Sequence, residues 1–140
     1  MEKYQIKNDV KAFGFQVKSF PSGIGESFQK LMERIPKGKE RSYYGISYFD
    51  NSGNILYYAA AEEINPGEAE KYHCDSYTIE KGEYLTIKVP GWRQKTDQIK
   101  DVFHELMQDK RVDNTKPCIE WYYHDEEMMC MIKMHKVPAG

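Results

Sequence analysis

Apolar side chains return with a helical period at two places along the chain. Ile24, Phe28, Leu31, Met32 and Ile35 fall at i, i+4, i+7, i+8 and i+11, which is one face of a helix. Ile99, Val102, Phe103, Leu106 and Met107 fall at i, i+3, i+4, i+7 and i+8. The spacing predicts helices over residues 23–35 and 94–109, packed on the same side of the sheets. Pro36 and Gly38 stop the first. Thr96 or Asp97 is placed to cap the second, because a short oxygen-bearing side chain accepts from free backbone N–H groups there.

Around each helix the pattern changes to strands. Residues 15–21 and 84–90 both read as a strand that ends in proline, and each leads into a helix. Each helix is followed by a hairpin. Residues 44–50 turn at Asn51, Ser52, Gly53 and Asn54 into residues 55–61, and residues 118–124 turn at Asp125, Glu126 and Glu127 into residues 128–134. Asn, Asp, Ser and Gly suit tight hairpin connections.

The chain therefore reads as β-α-β-β twice, over about 10–64 and about 83–135, within one domain spanning 1–140. The second half is longer by six positions, which fit in the polar stretch 109–117, and residues 62–82 join the halves. A repeat of this length normally means two units that bury one shared face. The expected fold is α+β: two antiparallel sheets, each with a helix, related by a pseudo-twofold that leaves a central groove.

Composition narrows the function. With 40% hydrophobic and 30% charged residues, the 140-residue chain has the make-up of a globular domain and not of a disordered tail. A net charge of −2 and the lack of a basic block argue against direct nucleic-acid binding; Lys37, Lys39 and Arg41 are interrupted by Glu40 and read as a solvated loop. No apolar run suits a membrane span, and three cysteines without C-x-x-C spacing fit reduced thiols in the cytoplasm. No metal or cofactor is expected. His104 and Glu105 open a zinc-helix pattern, but Gln108 stands where the second histidine would be. The 11 Tyr, beside 6 Phe and 2 Trp, are the unusual feature: tyrosine joins a flat apolar ring to a hydroxyl and recurs on half-dry contact surfaces.

Three segments, in order, carry a resemblance. They are Tyr57-Tyr58-Ala59-Ala60-Ala61-Glu62, then Gly82-Glu83-Tyr84, then Pro117-Cys118-Ile119-Glu120-Trp121-Tyr122. With the doubled layout, the chain resembles the GyrI-like small-molecule-binding domain, also the effector-binding half of AraC-type and MerR-type multidrug-responsive regulators. Ala60 departs from a position that often holds glycine in that family, which would narrow or reshape the groove.

Strand alternation puts Glu120 on one face with Cys118, Tyr122 and His124, and puts Ile119, Trp121 and Tyr123 on the other. The apolar pair Ile119 and Trp121 is expected to pack on the helices, leaving Glu120 and Tyr122 in the groove. The resemblance implies that Glu120 is a buried anion that meets aromatic or hydrophobic cationic ligands. Its alternative is a surface glutamate on an exposed sheet face. Tyr43 and Ser47 lie on the matching strand of the first half, with Gly45 opposite Glu120 and leaving room for a ligand ring. Trp92 either covers the groove mouth or seals the start of the second helix. Tyr84 resembles a family tyrosine, with core packing as its other reading.

The expected ligand-binding set is thus Glu120, Tyr122, Trp92, Tyr43, Ser47 and Tyr84, in a stand-alone binder acting in drug sequestration or in transcription regulation with a separate DNA-binding partner. Two alternatives come with the resemblance. One is a hydrolase of cyclopropanoid electrophiles in which Glu120 and a tyrosine such as Tyr122 do the acid–base work. The other is a protein-interaction module of gyrase-inhibitor type, for which Glu62, Glu63, Glu68 and Glu70 would supply a weak acidic patch.

Overall fold

The computed structural model describes residues 1–136. The last four positions of the expected domain and of its 1–140 span lie outside the described residues. Its strands are β1 (Glu2–Ile6), β2 (Val10–Gln16), β3 (Tyr43–Phe49), β4 (Ile55–Glu62), β5 (Asp75–Ile79), β6 (Gly82–Pro90), β7 (Cys118–Tyr122) and β8 (Glu127–Lys133). Its helices are α1 (Ile24–Arg34), α2 (Glu68–Lys71) and α3 (Ile99–Met107). Both expected hairpins are present, with Phe49 opposite Ile55 and Tyr122 opposite Met128 at their turn ends.

Where two sheets were expected there is one: all eight strands form a single antiparallel sheet in the order β1-β6-β8-β7-β3-β4-β2-β5. The join is the β3–β7 pair, which runs from Tyr43 opposite Tyr122 to Ser47 opposite Cys118. β1 and β5, which precede β2 and β6 in the chain, each pair across to the other of these two strands. The sheet curls so that its two edges approach, and the Asp9 carboxylate after β1 accepts from the Lys81 N–H after β5, at 2.8 Å.

Both long helices lie on one face of this sheet. α1 buries Leu31 against Phe13, Tyr43 and Ala61, and α3 buries Ile99, Phe103 and Leu106 against Leu85, Val89, Met128 and Ile132. Helix α3 begins later than expected: residues 92–94 and 96–98 form two short 3-10 turns, and neither Thr96 nor Asp97 caps it. β2 ends at Gln16, so Pro21 lies in the following turn and not at a strand end as Pro90 does.

Among the described residues the opposite face carries no helix, yet it is apolar. Tyr44, Ile46, Ala60, Ile119 and Met131 from its centre cluster there with Ile6 and Ile79 from the edges, because the curl folds the sheet over itself. Ile119 and Trp121 belong to this concave face and not to the helix face, which reverses the expectation. Glu120 and Tyr122 point toward the helices.

The joining segment holds a buried ion pair. Arg41 and Glu68 are 6% and 3% exposed and bond through both carboxylate oxygens, at 2.9 and 2.7 Å. Arg41 also donates to the carbonyls of Pro36 and Glu62, while Glu68 accepts from the N–H groups of Ile64 and Asn65. So Arg41 is not in a solvated loop and Glu68 is not part of an outer acidic patch. The pair ties the end of α1, the end of β4 and α2 together, and the Arg41 guanidinium lowers the Glu68 carboxyl to about 2.

Candidate functional site

Glu120 stands at the middle of the sheet, where β7 meets β3 on one side and β8 on the other, opposite Gly45 and Cys130. The Tyr57 hydroxyl on β4 and the Tyr122 hydroxyl on β7 both donate to Glu120 Oε1, each at 2.7 Å. Hydroxyl-to-carboxylate bonds of this length are charge-assisted and among the stronger ones in proteins. Oε2 has no hydrogen-bonding side chain or backbone partner among the described residues. The residue is largely enclosed by protein yet keeps some accessible surface.

The rings around this carboxylate come from both halves. Tyr57, 1% exposed, stacks on Phe20 at 5.1 Å and 10°. Tyr122 meets Phe28 of α1 edge-on at 5.6 Å and Trp92, ahead of α3, at 4.8 Å. Tyr122 thereby packs against the clusters beneath both helices. Trp92 is fixed by its indole N–H, which donates to the His124 carbonyl at 3.3 Å, and the Arg93 guanidinium lies over its ring at 4.6 Å.

Burial among these rings pushes the Glu120 carboxyl above its ordinary value, and the two tyrosine donors pull it part of the way back. Burial and the adjacent carboxylate push both the Tyr122 and the Tyr57 hydroxyls upward. Both phenols therefore hold their protons firmly and serve as donors.

Of the six residues expected from the sequence, the fold brings Glu120, Tyr122 and Trp92 together. Tyr43 shares the face, but its ring packs on Phe28 and its hydroxyl is committed to the Gly38 carbonyl. Ser47 is also on this face, between Tyr57 and Cys118 in the register and diagonal to Glu120. Tyr84 is on the concave face, buried, with its hydroxyl on the Glu80 carbonyl at 2.6 Å. The role of Gly45 differs from the expectation too. A Cβ there would stand 2.1 Å from the Tyr57 hydroxyl oxygen and 2.5 Å from Glu120 Oε1, so the space it leaves holds the tyrosine–carboxylate bond and not a ligand ring.

Tyr57, Phe20 and Phe28 are the site residues that the sequence did not single out. The signal for Tyr57 was in the hairpin register: pairing 43 with 61 puts 57 opposite Ser47, diagonal to the glycine. Two shallow pockets, of about 270 and 390 Å³, open on the concave face and not at Glu120. Among the described residues no group of three or more His, Cys, Asp or Glu side chains is placed to hold a metal ion, and no helix is long and apolar enough to cross a membrane.

No family model and no curated protein matches the chain. Solved structures do match its fold over nearly the full length. An integron cassette protein from the mobile metagenome of Vibrio cholerae has 14% identity and a TM-score of 0.69, covering 96% of this chain and 95% of its own. The protein SAV2435, solved bound to tetraphenylphosphonium, has 13% identity and a TM-score of 0.66, covering 96% and 93%. A candidate bacterial transcription regulation protein from Staphylococcus aureus MU50 has 13% identity and a TM-score of 0.61, covering 96% and 97%. At these identities the likeness is one of fold.

Proposed function

We propose that this chain is a small-molecule-binding protein of GyrI-like type, built from two related β-α-β-β halves, that holds a hydrophobic aromatic cation against Glu120. The observation that carries this reading is the carboxylate itself: one oxygen held by two tyrosines, the other without a hydrogen-bond partner among the described residues, amid rings from both halves. A buried anion without a cation costs several kcal/mol unless something offsets it. Two hydroxyl donors offset part of that cost, and a cation beside Oε2 offsets more. Tyr122, Trp92 and Phe28 would add ring-face attraction, about 0.5–2 kcal/mol for each well-placed ring. That a protein of the same fold has been solved with tetraphenylphosphonium supports the choice of ligand class.

The chemistry of the tyrosines favours holding a ligand over transforming one. A phenol pushed upward by burial and by a neighbouring carboxylate is a poor proton donor to a leaving carbon, and here both hydroxyl protons already point at Glu120. Hydrolysis of cyclopropanoid electrophiles is therefore the second reading, supported by the raised carboxyl of Glu120 alone. The setting proposed for this binding is a regulatory or sequestering role in the cytoplasm, with any DNA contact made by a separate protein.

A crystal structure of the complex with tetraphenylphosphonium tests the proposal. Density for the cation within contact of Glu120, Tyr122 and Trp92 is the expected result. Density elsewhere, with the Glu120 surroundings unchanged, would contradict it.

A further inference from the structure

One end of the concave face carries charge that the Glu120 site does not use. There the end of β5 folds over the centre of the sheet, and Glu80 meets two lysines from different parts of the chain. Lys116, ahead of β7, donates to Glu80 Oε1 at 3.1 Å, and the Lys133 ammonium of β8 lies 3.5 Å from the same oxygen. Lys133 is held in place along its length. It stands opposite Tyr84, and its stem crosses Gly82, where a Cβ would come within 2.8 Å of Lys133 Cε. Only 12% of its side chain is exposed, against 35% for Lys116 and 48% for Glu80.

One carboxylate thus serves two ammonium groups, and serves them unequally. An ammonium has three N–H donors. Among the described residues that of Lys133 makes no hydrogen bond, and its one carboxylate oxygen, at 3.5 Å, is already bonded to Lys116. A largely covered cation in that position is short of negative charge. Glu80 is the most exposed of the three, so it can turn out to solvent and leave both lysines to another anion.

Both lysines and Glu80 line the pocket of about 270 Å³. Its walls also include the rings of Tyr48 and Tyr84, with Ile79, Pro117 and Ile119. The Tyr84 hydroxyl is spent on the Glu80 carbonyl, so its ring is what it offers a ligand. A bare inorganic anion would meet the lysines and leave these apolar walls unused. The volume lies just below the roughly 300–1,000 Å³ of sites for drug-sized molecules, and suits a single ring.

We propose that this pocket binds a monocyclic aromatic carboxylate, which bridges Lys133 and Lys116 in place of Glu80 and lays its ring against Tyr48, Tyr84 and Ile119. The site is on the face of the sheet away from Glu120, takes the opposite charge, and stands whether or not a cation binds there.

The test is titration of benzoate into the full chain, followed by amide chemical shifts. Saturable shifts centred on Glu80, Lys116 and Lys133 are expected, unaffected by saturating tetraphenylphosphonium. Benzyl alcohol, which has the ring without the charge, and inorganic phosphate, which has the charge without the ring, should each bind about tenfold more weakly at the same ionic strength. Lys133→Met keeps an apolar stem and should weaken benzoate about tenfold. Glu80→Gln removes the internal competitor and should tighten benzoate about threefold, a gain that a merely structural Glu80 would not give. Should Lys133→Met fail to fold, Glu80→Gln still decides the matter. No saturable shift, benzyl alcohol or phosphate binding as well as benzoate, displacement by tetraphenylphosphonium, or unchanged or weaker binding in Glu80→Gln would each overturn the proposal.

Discussion

Gly45 lies directly opposite Glu120 across the β3–β7 pair, and the side chain it lacks is what lets the Tyr57 hydroxyl reach the carboxylate. Neither neighbour of that gap is a free chain end: Tyr57 is buried and stacked on Phe20, and Glu120 is held by two donors. Gly45→Ala is therefore expected to break the Tyr57–Glu120 bond and to destabilise the fold by about 1–3 kcal/mol, as overpacking of a filled site does. Urea unfolding measures this. An unchanged midpoint would show that the sheet relaxes around the methyl group and that the contact is not tight.

Tyr57 and Tyr122 also control when Glu120 is charged. Each donates to the ionised form, so removing either donor should raise the carboxyl further. Binding of a cation needs the carboxylate, so affinity should fall as pH drops through the raised value of Glu120. In Tyr57→Phe the midpoint of that fall should lie at higher pH than in the wild type. Phenylalanine keeps the stack on Phe20, which separates the proton effect from packing. Identical pH profiles of tetraphenylphosphonium affinity would remove the hydroxyl from this role.

The two buried glutamates should have opposite effects on stability as the solution is acidified. Glu68, lowered from 4.5 to about 2 chiefly by the Arg41 hydrogen bonds, contributes stability that is fully present above its unfolded value. That contribution is lost as pH falls from about 4.5 toward 2. Glu120 is raised instead, so the folded protein gains stability relative to the ionised state as pH falls through its folded value. Glu68→Gln leaves Arg41 buried without its anion and is expected to cost about 3 kcal/mol at neutral pH, with a weaker acid transition. A variant as stable as wild type at pH 7 would mean the pair is not needed to hold α2 against β4.

Replacing the charge at Glu120 should make the protein more stable. Glutamine keeps the shape and an oxygen that can accept from both tyrosines, while removing a charge that burial disfavours. Glu120→Gln is expected to stabilise the ligand-free fold by about 1 kcal/mol, read as a higher melting temperature. A large loss of stability would mark Glu120 as a structural residue, held for the fold and not for a ligand.

Much of this arrangement was legible in the residues. Period-3.6 spacing found α1 and α3, turn chemistry found both hairpins, and period-2 alternation put Cys118, Glu120 and Tyr122 on one face. Alternation does not say which face meets the helices. Ile119 and Trp121 were assigned to the helices because they are apolar, but the curl of a single sheet makes its concave face apolar as well. The edges that produce the curl were hidden for a different reason. β1 and β5 expose most of their residues and so show no clear alternation, and α2 beside them is four residues long, too short to show a period. Glu68 and Arg41 looked like surface charges because their pairing depends on contacts 27 positions apart in the chain. Tyr57 was hidden by its neighbours: in a chain with 11 tyrosines, a single one stands out only once the strand register is known.

Equilibrium titration of tetraphenylphosphonium into wild type and Glu120→Gln at one neutral pH decides whether Glu120 binds a hydrophobic cation through its charge. Loss of a charge-assisted contact of about 1.5–3 kcal/mol predicts affinity weaker by roughly ten- to a hundredfold in the variant, with its fold intact. Superimposable titration curves for the two proteins, or no binding to the wild type, would contradict it.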